Sequence, residues 1–350
     1  MQVGEIFLYV MTLVAMMGVI LYSDVLRKWY SNQEDRSDYH MIRTYLLNQS
    51  PLYGDNKPKL WVHTKYEINA RTWQSFQSRT TTNLNQPYIH LTVQSVVNMC
   101  GDDFHVCLID DDTFGKLIPG WKVDVRGLAE PHKSHMRQVG LLTLLYYYGG
   151  LVVPDSFVCM RPLKPLYERA IQSRPFVAER LNRSCNVLHE NKQALPFLAD
   201  PYFTGAKKND PVIQEYIDFL QDQNQVPHFS SEHDFLGNTS WWIENAVREG
   251  RVSKLDGSVI GIKDKGGEPI LMEHLLGEAY LDLDPHIFGI YIPEDEILKR
   301  TAYQWFSVMP REQILDSRMI VAKYLAASMT KSSVKQPFKS LDAVERVVVL

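Results

Sequence analysis

The run Ser134 to Leu163 reads SHMRQVGLLTLLYYYGGLVVPDSFVCMRPL. Ser134, Arg137 and Gln138 make a polar first turn, and Val139 to Tyr148 is almost wholly apolar, which predicts a helix that must be buried. Gly149-Gly150 supplies the left-handed residue that ends such a helix. Leu151-Val152-Val153 then reads as a short strand. Pro154-Asp155-Ser156 interrupts or edges it, because proline has no N–H for a ladder, and Phe157 to Met160 resumes it. A buried helix feeding a central strand with a polar tip is the usual layout of an α/β sheet that binds ligands at its strand ends.

The flanking sequence extends this pattern. Lys59 to His63 reads as a buried strand, and a helix from about His90 to Met99 has Leu91, Val93, Val96 and Val97 for one buried face. Phe104 to Ile109 returns as a strand that ends in Asp110-Asp111-Asp112. Further strands are expected at Phe176 to Arg180, Pro201 to Ala206 and Phe288 to Pro293. Helices are expected at Leu166 to Ser173, from Asp210-Pro211 to about Gln221, at Thr301 to Met309 and at Arg311 to Ser328.

These segments together resemble the GT-A glycosyltransferases, near the DXD-containing initiating mannosyltransferase and capsular-polysaccharide synthesis families. The likeness is carried by the helix with Tyr-Gly-Gly at its end, the short strand, the polar tripeptide and Pro-Leu, and also by Lys59-Leu60-Trp61-Val62-His63, Gln94 to Val97, His105 to Asp110 and Phe203 to Ala206. It covers roughly Lys59 to Tyr216 and implies a GT-A-like, Rossmann-like mixed sheet flanked by helices. It also implies transfer of a hexose from a UDP- or GDP-linked sugar with Mn or Mg. Aligned on Gly149-Gly150, the family's Asp-x-Asp falls on Pro154-Asp155-Ser156, so both metal-binding carboxylates are replaced and no metal ligand is expected. Gln138 stands where the family has an Asp and Leu141 where it has an Arg. Asp155 occupies the middle position, which in a regular strand would face away from the family's acids. Metal-free members of the class use Arg, Lys or Tyr, roles open to Arg137, Arg161 or Tyr146 to Tyr148. The Tyr-Gly-Gly-Leu-Val-Val-Pro-Asp-Ser-Phe version is similar to copies carried by large DNA viruses, which implies a virion membrane or minor capsid role as the alternative to catalysis.

The resemblance implies a nucleotide-sugar site near His63, Asp110, Asp112, Arg137 and Gln138, with Asp155 at its floor. Asp110 or Asp112 would bind ribose hydroxyls or a cation, or else cap the following helix. Glu232 or Asp234, in Ser230-Ser231-Glu232-His233-Asp234, would be a general base for an inverting reaction or a capping residue. Trp241-Trp242 would stack on a sugar or anchor a helix. His132 and His135 lack a third ligand at zinc spacing.

At 350 residues, with 45% hydrophobic and 22% charged residues and a net charge of -4, the chain suits one large domain with appendages and gives no nucleic-acid signature. The four cysteines make no metal or CxxC spacing and read as free thiols. Ile6 to Ser23 is free of charge for 18 residues, about 27 Å as a helix, enough for a single-pass anchor in a lipid bilayer. Arg27 and Lys28 after it, against Glu5 before it, favour the bulk of the chain on the cytosolic side, whereas the sequons at Asn182 and Asn238 argue for the lumen. The expected plan is an anchor over 1–28, a stalk over 29–58, the GT-A-like domain over 59–310 and a C-terminal helix and tail over 311–350.

Overall fold

Strand β1 (Lys59–His63) carries Leu60, Trp61 and Val62 without any exposure, so both of its faces have to be covered. It pairs in parallel with β2 (His105–Ile109) on one side and β3 (Gly150–Val152) on the other. Helix α1 (Tyr88–Cys100) lies between β1 and β2 in the chain; α2 (Asp111–Leu117) and the long α3 (His132–Tyr148) separate β2 from β3. After α4 (Lys164–Ala170), strands β5 (Phe176–Leu181) and β6 (Phe197–Ala206) run antiparallel to each other, and β6 joins β3. Strand β7 (Ser253–Leu255) closes the far edge parallel to β5, giving the order β2-β1-β3-β6-β5-β7. The fold is thus α/β, a mixed sheet flanked by helices. The computed structural model describes residues 57–65, 86–182, 195–225 and 232–329.

The turn from α3 into β3 is set by two glycines. Gly149 and Gly150 have φ of 68° and 112°, a region that L side chains rarely adopt. The Gly149 carbonyl accepts a hydrogen bond from the buried Trp61 Nε1 at 3.0 Å, which pins the turn against β1. A Cβ at Gly150 would collide with the carbonyl oxygen of Lys59.

Beyond β3 the structure departs from the sequence reading. The chain does not resume in the same sheet after Pro154-Asp155-Ser156. It turns, with Phe157 N–H donating to the Pro154 carbonyl at 3.2 Å, and β4 (Phe157–Cys159) leaves to pair antiparallel with β8 (Gly289–Tyr291) in a separate two-stranded ladder. Proline ends the first ladder because it has no N–H to continue it. Helix α1 packs on β4, and α10 (Ile320–Met329) packs on α1. Tyr88, Leu91, Val158, Ile290, Val321 and Leu325 fall in one apolar cluster there.

The remaining helices are α5 (Pro211–Gln225), α6 (Glu232–Arg248), α7 (Met272–Leu276), α8 (Glu294–Lys299) and α9 (Arg311–Asp316). The single helix expected over 311–328 is broken because Ser317 turns extended and its hydroxyl donates to the Ile314 carbonyl at 2.7 Å. The helix expected over 301–309 is two 3-10 turns, Thr301–Tyr303 and Phe306–Val308, and Met309 is extended as residues before a proline prefer. Among the described residues no helix is long and apolar enough to cross a membrane. The anchor expected over 6–23, nearly all of the stalk and the tail from 330 lie outside the described residues.

Gly150→Ala is expected to lower unfolding stability by about 3 kcal/mol, the upper range for forced close contacts. Urea denaturation measures it; a variant as stable as the parent would mean the Lys59 backbone yields.

Candidate functional site

The polar tip after β3 is inside the protein. Asp155 is 4% exposed and Ser156 0%, and the turn at Pro154 removes the strand alternation that would have aimed Asp155 away from the sheet's ligand edge. Helix α1 holds the tip from the other side. The Thr92 hydroxyl donates to the Asp155 carbonyl, and the Ser95 hydroxyl accepts from Cys159 N–H at 2.8 Å. Thr92 and Ser95 are polar residues with no exposure, and these bonds explain their place in an otherwise apolar helix face.

Two residues from distant parts of the chain complete the tip. Lys65, two residues past β1, places Nζ 2.7 Å from Glu294 Oε1, at the start of α8. The Glu294 carboxyl stands close enough to Asp155 for its charge to act on it, and Asp155 Oδ2, Ser156 Oγ and Glu294 Oε2 are buried without hydrogen-bond partners. Burial, and then the charge of Glu294, pushes the Asp155 carboxyl well above the usual carboxylate range, against the pull of the Lys65 ammonium. Burial by itself would lower Lys65, but the charges of Glu294 and Asp155 outweigh it and hold the ammonium above its ordinary value. The Lys65 side chain keeps 31% of its exposure and that of Glu294 13%, whereas Asp155 keeps 4%.

Next to this group, Arg180 from β5 bridges Asp295 at 2.8 Å and Asp200 at 3.7 Å. Its guanidinium lies 5.3 Å from the Tyr202 ring centre and 5.7 Å from that of Tyr291. Arg180 Nε is buried without a partner.

A second network sits at the ends of β1 and β2. His63 Nε2 lies 2.9 Å from Asp111 Oδ1, and Arg137 grips Asp111 with Nε at 2.9 Å and Nη2 at 2.8 Å. Burial works against a charged Asp111, but the hydrogen bonds from Arg137 and His63 outweigh it and hold its carboxyl below the usual range. Burial lowers His63, against the hydrogen bond to Asp111. Of the three acids at the end of β2, the sequence reading singled out Asp110 and Asp112, and the one that points inward is Asp111. Asp110 caps α2, accepting from Thr113 N–H at 3.0 Å, and Asp112 pairs at the surface with Arg126 at 2.5 Å.

His63 and Arg137 therefore come together as expected for neighbours of one site, but both are committed to Asp111. Gln138 reaches Tyr216 Oη at 3.4 Å instead. Arg161 donates to the Pro285 carbonyl at 2.8 Å, and Tyr148 donates to the Leu117 carbonyl at 2.6 Å, at the end of α3 where β3 begins rather than where it ends. The cation at the tip is Lys65, which the sequence reading did not single out. Glu232 and Asp234 fall in the first turn of α6, and their side chains lie outside what is described. Trp241 and Trp242 line an open groove of about 480 Å3 between α5 and α6.

A divalent ion of the kind the resemblance implies needs several uncommitted oxygen ligands. Lys65 already occupies Glu294 Oε1, and among the described residues no group of three His, Cys, Asp or Glu side chains that could hold such an ion converges.

Because burial raises the Asp155 carboxyl in the folded chain above its unfolded value, its contribution to stability is greatest below the ordinary carboxyl pKa and declines as pH rises. Asp155→Asn, which removes the titrating group, is expected to gain stability over the parent at pH 8 and to lose that gain at pH 4. Parallel thermal melts across that range measure it; a gap independent of pH would show that Asp155 is not raised.

No family model matches the chain, and no curated protein matches it in sequence. The activity therefore has to be read from these side chains themselves.

Proposed function

We propose that the chain is a glycosyltransferase-like protein that binds a nucleotide sugar at the ends of β1 and β3 and transfers a hexose from it. In this reading a segment over 6–23 tethers it to a membrane. The observation that carries the reading is the tip itself: buried, unpartnered oxygens of Asp155, Ser156 and Glu294 beside the part-exposed side chain of Lys65, at the strand ends where α/β sheets bind ligands. Buried polar atoms without partners are rare in native proteins, and a hydroxyl-rich ligand would satisfy them.

In this role Lys65 meets the negative charge of the diphosphate. A positive group fixed where charge develops on a leaving group is a common and large source of rate enhancement. Ser156 Oγ would donate to the donor sugar or its phosphate. Asp155, whose carboxyl burial and then the charge of Glu294 push well above the usual range, offers a hydrogen bond rather than a repelling charge. The pair His63–Arg137 acts on Asp111 and shapes the wall of the site instead of contacting phosphate.

A second reading is a non-catalytic scaffold that links a membrane to a protein layer, such as a virion membrane or minor capsid component. It is favoured by one observation: the acids of the tip are neutralised from within, so the fold does not need a ligand to balance them.

Titration with UDP, GDP, UDP-glucose and GDP-mannose, with and without manganese, separates the two by thermal shift. A ligand at about one hundred times its Kd adds about 2.7 kcal/mol to stability. At least one nucleotide is expected to do so. The double variant Lys65→Met/Glu294→Gln, which removes both partners and leaves no lone charge, is expected to keep its fold and weaken that nucleotide by about tenfold or more. No shift with any of the four leaves the scaffold reading.

A further inference from the structure

Helices α5 and α6 meet through aromatic rings. Trp242 packs on Tyr216 at 4.8 Å between centroids and on Phe219 at 5.9 Å. Arg251, just past α6, holds its guanidinium 5.4 Å from the Trp242 ring centre and is itself fixed by Glu249 and Glu215, each at 2.7 Å. Trp242 is thereby held rigid. Asn238, Trp241, Trp242 and Asn245 follow one another at helical spacing, which brings them to one side of α6, and all four line the groove of about 480 Å3. That volume lies within the roughly 300–1,000 Å3 of small-molecule sites.

The lining has a specific chemistry. Its one acid and one base, Glu249 and Arg251, neutralise each other, so an anion finds no uncommitted cation and a cation no uncommitted carboxylate. Among the described residues the indole N–H groups of Trp241 and Trp242 and the side-chain amide of Asn245 find no hydrogen-bond partner, and they are not buried out of reach of a ligand. Asn238 donates to Gln223 across the helices at a long 3.3 Å. Among the described residues no ring stacks on Trp241, which carries only Arg248 at 5.2 Å. The groove thus combines a free aromatic surface with uncharged donors and acceptors around it.

A pyranose ring matches this combination. Its C–H face is apolar and flat enough to lie on an indole, and its rim of hydroxyls both donates and accepts. A nucleotide lacks a partner here for its phosphates, and a protein partner would need a contact area of about 1,000 Å2 or more. We propose that this groove binds a neutral oligosaccharide, with Trp241 as the stacking platform and the Trp242 N–H, Asn245 and Asn238 as the groups that read its hydroxyls. The proposal stands apart from the cleft at β1 and β3 and does not depend on sugar transfer there.

The test uses the full chain and a panel of neutral trisaccharides of glucose, mannose, galactose and N-acetylglucosamine at millimolar concentration, read by calorimetry and by tryptophan fluorescence. At least one is expected to bind saturably at one site per chain. Asn245→Ala and Trp241→Phe are each expected to raise its Kd by about tenfold, with thermal stability and any nucleotide-induced shift unchanged. No binding across the panel overturns the proposal, as does binding that both variants leave intact. A change in oligomeric mass in the variants without any saccharide binding also overturns it, by assigning the groove to a second copy of the chain. Nucleotide binding without saccharide binding would remove this site and leave the cleft.

Discussion

Two carboxyl groups buried side by side are the costliest arrangement in this protein, and the structure around them answers that cost. An isolated buried carboxylate is penalised by several kcal/mol, and a second beside it adds repulsion. Asp155 and Glu294 are tolerated because Lys65 stands against Glu294 and because burial itself favours a proton on Asp155. That solution requires three segments to meet, and Lys65 and Glu294 lie 229 residues apart. The β4–β8 ladder is the device that brings them together: it draws the chain after the tip out of the main sheet and delivers the strand that leads into Glu294.

Other features then follow from protecting the tip. The buried face of helix α1 is apolar except where it must meet backbone groups, and there it carries Thr92 and Ser95, whose hydroxyls satisfy the Asp155 carbonyl and the Cys159 N–H. The C-terminal helices cover the outside of the same ladder, with Val321 and Leu325 in the cluster that contains Val158 and Ile290. On the neighbouring strand end the same logic recurs with different groups. Asp111 is held by His63 and by a two-pronged grip from Arg137, so its charge is matched in place.

Much of the framework was legible because it is written locally. A run that is apolar on both faces marks β1, and a polar first turn followed by ten residues of apolar helix and two glycines marks α3 and the turn into β3. Pairing was less legible. Phe157 to Cys159 is apolar on both faces and suits either sheet, so nothing in it says that its partner is β8. The site was the least legible part. In Asp110-Asp111-Asp112 the side chain that turns inward depends on which residue caps the helix, and once Asp110 does so, Asp111 faces His63. Lys65 and Glu294 carry no local signal at all, since each is an ordinary charged residue whose importance lies in the other.

The electrostatic sum at the tip bears on how the proposed cleft would handle an anionic ligand. With both carboxyls ionised and Lys65 charged, the group holds one net negative charge; with Asp155 protonated it is neutral. A phosphate that draws the Lys65 ammonium outward weakens its pull on Asp155, whose proton is then held more firmly. Ligand charge and proton occupancy are therefore tied together through one lysine. A metal ion held by two free aspartates would impose no such link, because its charge does not come from the protein's own titrating side chains. At the tip the balancing charge is the protein's own: Lys65 Nζ stands 2.7 Å from Glu294 Oε1, beside an Asp155 that burial pushes toward its protonated form.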